Sequence, residues 1–289
     1  MEIIWANENE HMELKTREGV PYLVFPDLEK EEGFLHGVST RLGGVSGGHF
    51  ASMNLSFTRG DESEAVWENY RRMGKAIGFS IQDLVTSDQT HTANVRVVTQ
   101  EDRGKGITCQ RDYHDVDGMV TNVPGLVLAT YYADCVPLFF LDPVHRAVGL
   151  SHSGWRGTVG RIGAATAAKM EEVYGSRPEE LIAAIGPSIC QKCYEVSQDV
   201  AEAFRQAFPR RDWEAIMTKG REEGKYQLNL WEANRRVFLE AGILEKNILL
   251  PGICTCCNPR LLFSHRASKG KRGNLAAFLG IRREERSEK

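Results

Sequence analysis

Several absences narrow the reading of this sequence. Its most apolar stretch, residues 126–141, contains Asp134 and Pro137 and is shorter than the roughly 20 residues of a membrane-spanning helix. There is no excess of positive charge: 36 Lys and Arg stand against 39 Asp and Glu, for a formal net charge of −3. No global basic field therefore gathers nucleic acid or an anionic membrane. The opening residues carry the acidic Glu2 and an apolar run of only three residues, unlike a secretory signal. No repeat of solenoid period and no low-complexity linker is present. Gly154, Gly157 and Gly160 are spaced wrongly for a dinucleotide loop, and no Walker loop exists. Gly149-Leu150-Ser151-His152-Ser153 misses the nucleophile elbow at its last position.

What remains is an ordinary globular composition, 42% hydrophobic over 289 residues, in a chain long enough to bury a core without staples. Strand-like runs fall at residues 22–25, 34–39, 95–98, 126–132, 138–141, 147–151, 181–185 and 261–263. Helical patterns lie between them. Asp61 and Glu64 form a capping-box start for Val66, Tyr70, Met73 and Ile77, with Gly78 as the stop. Thr158 opens a second helix that ends at Gly175, and Ser197 caps a third through Val200, Phe204 and Phe208. Asn229 precedes a fourth, through Leu230, Ala233, Val237 and Ala241, closed by Gly242. The expectation is one mixed α/β (α+β) domain spanning residues 1–289. The cysteine count, seven, is odd, and without an export signal it points to free thiols in a soluble, cytoplasmic protein.

The runs at 138–141 and 147–151 flank the turn Asp142-Pro143-Val144-His145. Paired as a hairpin centred between residues 143 and 144, they place Cys135 opposite His152, with Cβ atoms roughly 5 Å apart. That separation suits two ligands of one metal, or a thiol beside the base that activates it. His91, in the polar run Ser87-Asp88-Gln89-Thr90-His91, is the candidate third member. Two His and one Cys with an open fourth position describe a catalytic zinc site, and with a weak axial ligand a copper site. Asp134, beside Cys135, suits a ligand's hydrogen-bond partner or a proton carrier. Arg156 at the expected start of the Thr158 helix, and Arg41 in Ser39-Thr40-Arg41-Leu42-Gly43-Gly44, are candidate anion holders. Cys190-x-x-Cys193 and Cys254-x-Cys256-Cys257 contain enough thiolates for a structural zinc. The second half lacks clean spacing, and buried thiols are the expected state.

Taken in order, these residues resemble the laccase-domain (YfiH-type, multicopper polyphenol oxidase-like) family over nearly the whole chain. The marks are His36-Gly37-Val38-Ser39-Thr40-Arg41 with Gly43-Gly44-Val45-Ser46 and Asn54-Leu55; Gln89-Thr90-His91; Asp117-Gly118-Met119-Val120-Thr121; and Ala133-Asp134-Cys135-Val136-Pro137. They continue through the loop at 152–158, Ile185-Gly186-Pro187-Ser188-Ile189, Cys193-Tyr194-Glu195-Val196, Cys254-Thr255 and Phe263-Ser264-His265-Arg266. The resemblance implies a layered α/β/β/α fold with mixed sheets. It makes His91, Cys135 and His152 the metal-binding, catalytic trio. Asp134 joins them as a catalytic candidate, and Ser39, Arg41, Asn54, Gln89, Arg156 and Arg266 are expected to bind substrate or anion. His265 and Ala267 depart from the Tyr-Arg-Arg common in relatives, and Asn274 stands where an Arg commonly follows Gly273. The anion role of that tail is left to Arg266, Lys271 and Arg272.

Three activities attach to the family: copper-dependent oxidation of phenols, purine nucleoside phosphorolysis with adenosine deamination, and editing of cell-wall precursors. A multicopper oxidase needs a trinuclear cluster built largely from H-x-H pairs, and the eight His of this chain form none. Activation of an oxygen nucleophile by one metal fits these residues better, and the resemblance implies a metal-dependent purine nucleoside enzyme. It would use zinc (copper as the alternative) to phosphorolyse adenosine, inosine and guanosine-type nucleosides, with phosphate as co-substrate and adenosine deamination as a companion reaction. The alternatives are a laccase-like polyphenol oxidase and a Cys-His amidase acting on cell-wall precursors.

Overall fold

The computed structural model describes residues 2–6 and 12–283. One six-stranded sheet runs, in spatial order, Glu13–Arg17, Val20–Val24, Phe34–Ser39, Leu275–Ile281, Val127–Tyr132 and Leu84–Thr86. A second runs Ile248–Leu249, Ile182–Ile185, Val136–Asp142, Ala147–Ser153, Gly118–Thr121 and Val95–Val97. Most neighbours are antiparallel, but each sheet has a parallel pair at an edge, so both are mixed. A small three-stranded sheet packs beside helix Gln198–Ala207.

Side-chain alternation sorts these strands into layers. In Val136–Asp142, Phe139 and Leu141 enter the core between the two large sheets, while Val136, Leu138 and Phe140 face helices. In Leu275–Ile281, Leu275, Ala277, Leu279 and Ile281 point into the same inter-sheet core, and Ala276 and Phe278 point outward. Helix Ser63–Ile77 covers that outer face with Val66, Tyr70, Met73 and Ile77, one stripe at helical spacing. Helices Ile162–Tyr174 and Leu230–Glu240 cover the far side of the second sheet. The order is helix, sheet, sheet, helix, as the α/β/β/α expectation has it. Gly149 lets helix Ile162–Tyr174 rest on its strand, since a Cβ there would lie 2.9 Å from Thr166 and 3.0 Å from Met170.

Local details differ from the sequence reading. Residues 261–263 are buried but form a turn, with the Leu261 and Leu262 N–H groups donating to the Asn258 carbonyl. Thr158 lies inside a short helix, Trp155–Val159, and the next helix begins only at Ile162, after Arg161 takes a left-handed φ of 62°. Asp61 does not cap its helix: its carboxylate accepts from Ser46 Oγ at 2.6 Å and Asn54 Nδ2 at 2.9 Å. Asn229 caps as expected, accepting from the Glu232 N–H. Among the described residues no helix is long and apolar enough to cross a membrane.

His36 is a structural histidine. Its Nε2 accepts from the Phe25 N–H at 2.9 Å, and its ring packs beside Phe25 and Phe139. Burial, reinforced by Lys15 and Arg282, lowers its pKa to about 3. The unfolded chain takes up this proton first, so the stabilisation is complete above about pH 6.5 and declines as pH falls toward 3. His36→Gln keeps an acceptor for the Phe25 N–H and removes the titration. In urea unfolding at pH 7 and pH 4.5, the wild-type chain is expected to lose about 2–3 kcal/mol more than the variant. Equal losses would show that His36 does not set the acid limb.

Candidate functional site

Adjacent strands of the second sheet bring four residues to one end. Cys135 immediately precedes Val136–Asp142, His152 lies near the end of the antiparallel Ala147–Ser153, Asp117 precedes Gly118–Thr121, and His91 lies just before Val95–Val97. The ligand atoms of His91, Cys135 and His152 all lie within 4.8 Å of one another. The trio drawn from the sequence comes together, and two imidazoles with one thiol form a donor set suited to zinc or copper.

The hairpin register is not the one expected. Pro137 pairs with His152 and Asp142 with Ala147, leaving a four-residue turn at 143–146. Asp142 holds that turn by accepting from the Val144 and His145 N–H groups. Cys135 therefore falls opposite Gly154 rather than His152. It stays on the same face as His152 because it stands two residues before Pro137, a diagonal relation within reach of both side chains. Gly154 leaves the space open: a Cβ there would lie 2.9 Å from His91 Cδ2 and 3.3 Å from Cys135 Sγ.

Asp117, fully buried, organises both imidazoles. Its Oδ1 accepts from His152 Nδ1 at 2.7 Å, directing Nε2 toward the trio. Its Oδ2 accepts from the Thr90 and Thr92 N–H groups, each at 2.9 Å, on either side of His91. His91 itself has φ 68°, a left-handed backbone held by those two flanking bonds. A carboxylate behind a metal-binding His fixes its tautomer and orientation. In the sequence Asp117 is marked only by the motif Asp117-Gly118-Met119-Val120-Thr121.

Electrostatics suits ligation. Burial pushes the Cys135 thiol up, but the imidazoles of His152 and His91 outweigh it and bring the thiol down to about 6. Burial likewise opposes a charged His152, yet Cys135 and Asp117 raise it to about 9. Asp117 resists burial through its bonds to His152 and the Thr92 and Thr90 N–H groups, and sits at about 2. A thiol that ionises near neutrality is the form a metal binds.

The trio forms part of the wall of a cavity of about 400 Å³. Phe57, Tyr131 and Tyr132 contribute aromatic wall, and Arg111 and Arg272 are its cations. Arg111 is engaged by Asp88 at 2.8 Å and the Ser87 carbonyl at 2.6 Å. Arg272 is different: its Nε is buried with no hydrogen-bond partner in the protein. Burial, with Arg59 adding, lowers its pKa to about 10, so it stays protonated at neutral pH. A larger depression, about 770 Å³, runs along Glu13–Arg17 and shares none of these residues.

Arg272, one of the tail cations expected to hold an anion, lines the 400 Å³ cavity; of the other substrate- and anion-binding positions expected from the sequence only Gln89 does. Its amide is bonded to Tyr131 N–H and C=O. Ser39 Oγ accepts from the Ala276 N–H, and Asn54 bonds Ser56, Asp61 and the Asn274 N–H. Arg41 donates to the Ala51 and Pro259 carbonyls, and Arg266 to those of Cys193 and Glu195. Arg156 lies over the Trp155 ring. Thr158 donates its N–H to Gly154 O inside the helix Trp155–Val159, so Arg156 lies in the first turn of that helix and not before a helix opened by Thr158. Asp134 accepts from Thr255 Oγ1 at 2.6 Å and the Arg266 N–H at 2.7 Å. Both its oxygens are committed to neighbouring loops.

Comparison with known proteins identifies the family. The family model described as multi-copper polyphenol oxidoreductase laccase matches residues 35–282. The chain is 39% identical over 250 residues to the purine nucleoside phosphorylase YlmD of Bacillus subtilis, covering 85% of this chain and 88% of that one. It is 35% identical to adenosine deaminase RL5 from an unknown prokaryotic organism, covering 83% and 91%. The crystal structure of YlmD from Geobacillus stearothermophilus superposes with a TM-score of 0.86 at 34% identity, over 95% of this chain and all of that one. Its fold, its His-Cys-His cluster and these matches together show that the chain belongs to the multi-copper polyphenol oxidoreductase laccase family.

Proposed function

We propose that this chain phosphorolyses purine nucleosides at the 400 Å³ cavity, with one divalent ion, zinc, held by His91, Cys135 and His152. The observation that carries the proposal is the pairing, in one cavity, of that donor set with Arg272, whose buried Nε–H has no partner while its Nη1 donates to the Gly273 carbonyl at 3.3 Å. The named phosphorylase relatives supply the reaction class. Bound there, the ion would contribute Lewis-acid polarisation of an oxygen.

The protein's own groups do the rest. Arg272 offers an inorganic phosphate a desolvated cation with a free N–H donor, and Arg111 adds positive charge. Phe57, stacked on Tyr70 at 5.7 Å, presents an aromatic surface for the purine. A phosphate oxygen bonds to C1′ of the ribose and the glycosidic C–N bond breaks. The base leaves with the electron pair and takes up a proton, giving the free purine and ribose 1-phosphate. Asp134, first expected as a proton carrier, is here a positioning residue that ties the Cys135 segment to Thr255 and Arg266. The deaminase relative favours a second reaction at this site, replacement of the adenosine amine by water to give inosine and ammonia. Phenol oxidation coupled to oxygen reduction lacks its cluster. Among the described residues the His, Cys and carboxylate groups gather at two places, and the second is all sulfur. A reducing cytoplasm suits a chain whose seven cysteines are all free.

Incubation of adenosine or inosine with phosphate is expected to release free base and ribose 1-phosphate, and Cys135→Ala to abolish the release. Phosphate-independent turnover, or a fully active variant, would overturn the proposal. Asp117→Asn is expected to weaken zinc affinity 10–100-fold in a chelator competition, with the fold intact by circular dichroism. Unchanged affinity would remove Asp117 from the centre. Arg272→Ala is expected to raise KM for phosphate roughly 10–100-fold while leaving KM for the nucleoside nearly unchanged, as loss of a charged hydrogen bond predicts. A shift confined to the nucleoside would reassign Arg272.

A further inference from the structure

A second cluster of metal-competent side chains lies outside the cavity. The sulfurs of Cys190, Cys193, Cys254 and Cys257 all fall within 4.8 Å of one another. The second pair has the Cys-x-x-Cys spacing after all, because Cys256, which obscures it in the sequence, is not part of the group. Cys193 and Cys257 sulfurs are 3.5 Å apart, and those of Cys190 and Cys257 4.0 Å. A disulfide needs about 2.05 Å. A tetrahedron with metal–sulfur bonds of about 2.3 Å has edges of about 3.8 Å. An iron–sulfur cluster has to place several inorganic atoms between its cysteines, and this spacing leaves room for one ion. Cys254 Sγ also accepts from the Cys190 N–H at 3.2 Å and the Cys257 N–H at 3.4 Å. Backbone donors aimed at a sulfur favour its thiolate.

We infer that these four cysteines bind one structural zinc ion that clasps the loop after Ile182–Ile185 to the loop after Ile248–Leu249. With four protein ligands the site is closed, so its role is architectural. Both loops reach the segment that carries Cys135. The Ile189 N–H, next to Cys190, donates to the Asp134 carbonyl at 3.0 Å. Thr255, inside the second cysteine pair, donates its hydroxyl to the Asp134 carboxylate at 2.6 Å and its N–H to the Ser188 carbonyl at 3.2 Å. The clasp therefore holds Asp134 from two sides, and Asp134 immediately precedes Cys135. The inference concerns metal content and does not depend on which substrate the cavity takes.

The test uses the full chain produced with zinc. The wild-type protein is expected to hold two zinc ions per chain by mass spectrometry, and His91→Ala/Cys135→Ala to keep one. X-ray absorption of that variant should show a shell of four sulfurs near 2.3 Å. A variant empty of zinc, a shell containing nitrogen or oxygen, or a mapped Cys193–Cys257 disulfide in reduced protein would each overturn the inference. Cys190→Ser/Cys193→Ser should lose the all-sulfur ion, whereas Cys109→Ser, at an exposed thiol, should change nothing. If the double serine variant does not fold, alkylation of the wild-type chain decides. Cys109 should react at once and the four cluster thiols only after zinc is stripped. Equal rates with and without zinc would refute the clasp.

Discussion

Asp117 has no exposed surface, and every side-chain partner of its two carboxylate oxygens belongs to the His91 loop or to His152. A buried carboxylate is costly unless its lone pairs are filled, and here they are filled by the groups that aim two of the three prospective ligands. The dependence is mutual. The left-handed backbone at His91 persists because its flanking N–H groups are anchored to Asp117, and Asp117 stays ionised because those groups and the imidazole reach it. Removing the carboxylate would orphan the buried Nδ1 of His152, at a cost of about 1–3 kcal/mol, and release the part-buried N–H groups of Thr90 and Thr92.

The two sheets supply the rest. Two antiparallel contacts and one parallel contact bring the starts of three strands and the end of a fourth to the same end of one sheet. Residues far apart in the chain thereby become neighbours. The hairpin register then decides which side chains share a face. Opposition of Pro137 and His152 keeps Cys135 on that face, and the hydrogen of Gly154 is all that the opposing strand places there.

Much of this was legible in the sequence, for reasons that differ by residue. His and Cys are chemically distinctive, so a Cys just before a strand, a His two strands' length away and a His in a polar run stand out against an apolar background. In the sequence Arg272 is one of three cations to which the anion role of the tail falls; what separates it from Arg41, Arg156 and Arg266, whose guanidiniums serve carbonyls or a ring, is a buried Nε–H with no partner. The Gly-rich loop around Arg41 resembles an anion cradle, yet Ser46, Asn54, Asp61 and Asn69 satisfy one another. The helical and strand patterns carried a mixed α/β domain, and the layer order came from the family resemblance. The strand Leu275–Ile281 escaped because both of its faces are buried and no polar–apolar alternation marks it.

That strand carries a kinetic consequence. It lies between Phe34–Ser39 and Val127–Tyr132, and it meets the former through Ala276 and Ser39, 237 positions apart. During synthesis the first sheet emerges as two halves with open edges, and the wedge that joins them is made last. The inter-sheet core cannot close until then, so folding waits on a contact of very high sequence separation. The nascent protein meanwhile presents unpaired backbone to its surroundings, the state in which strands of different molecules pair most readily.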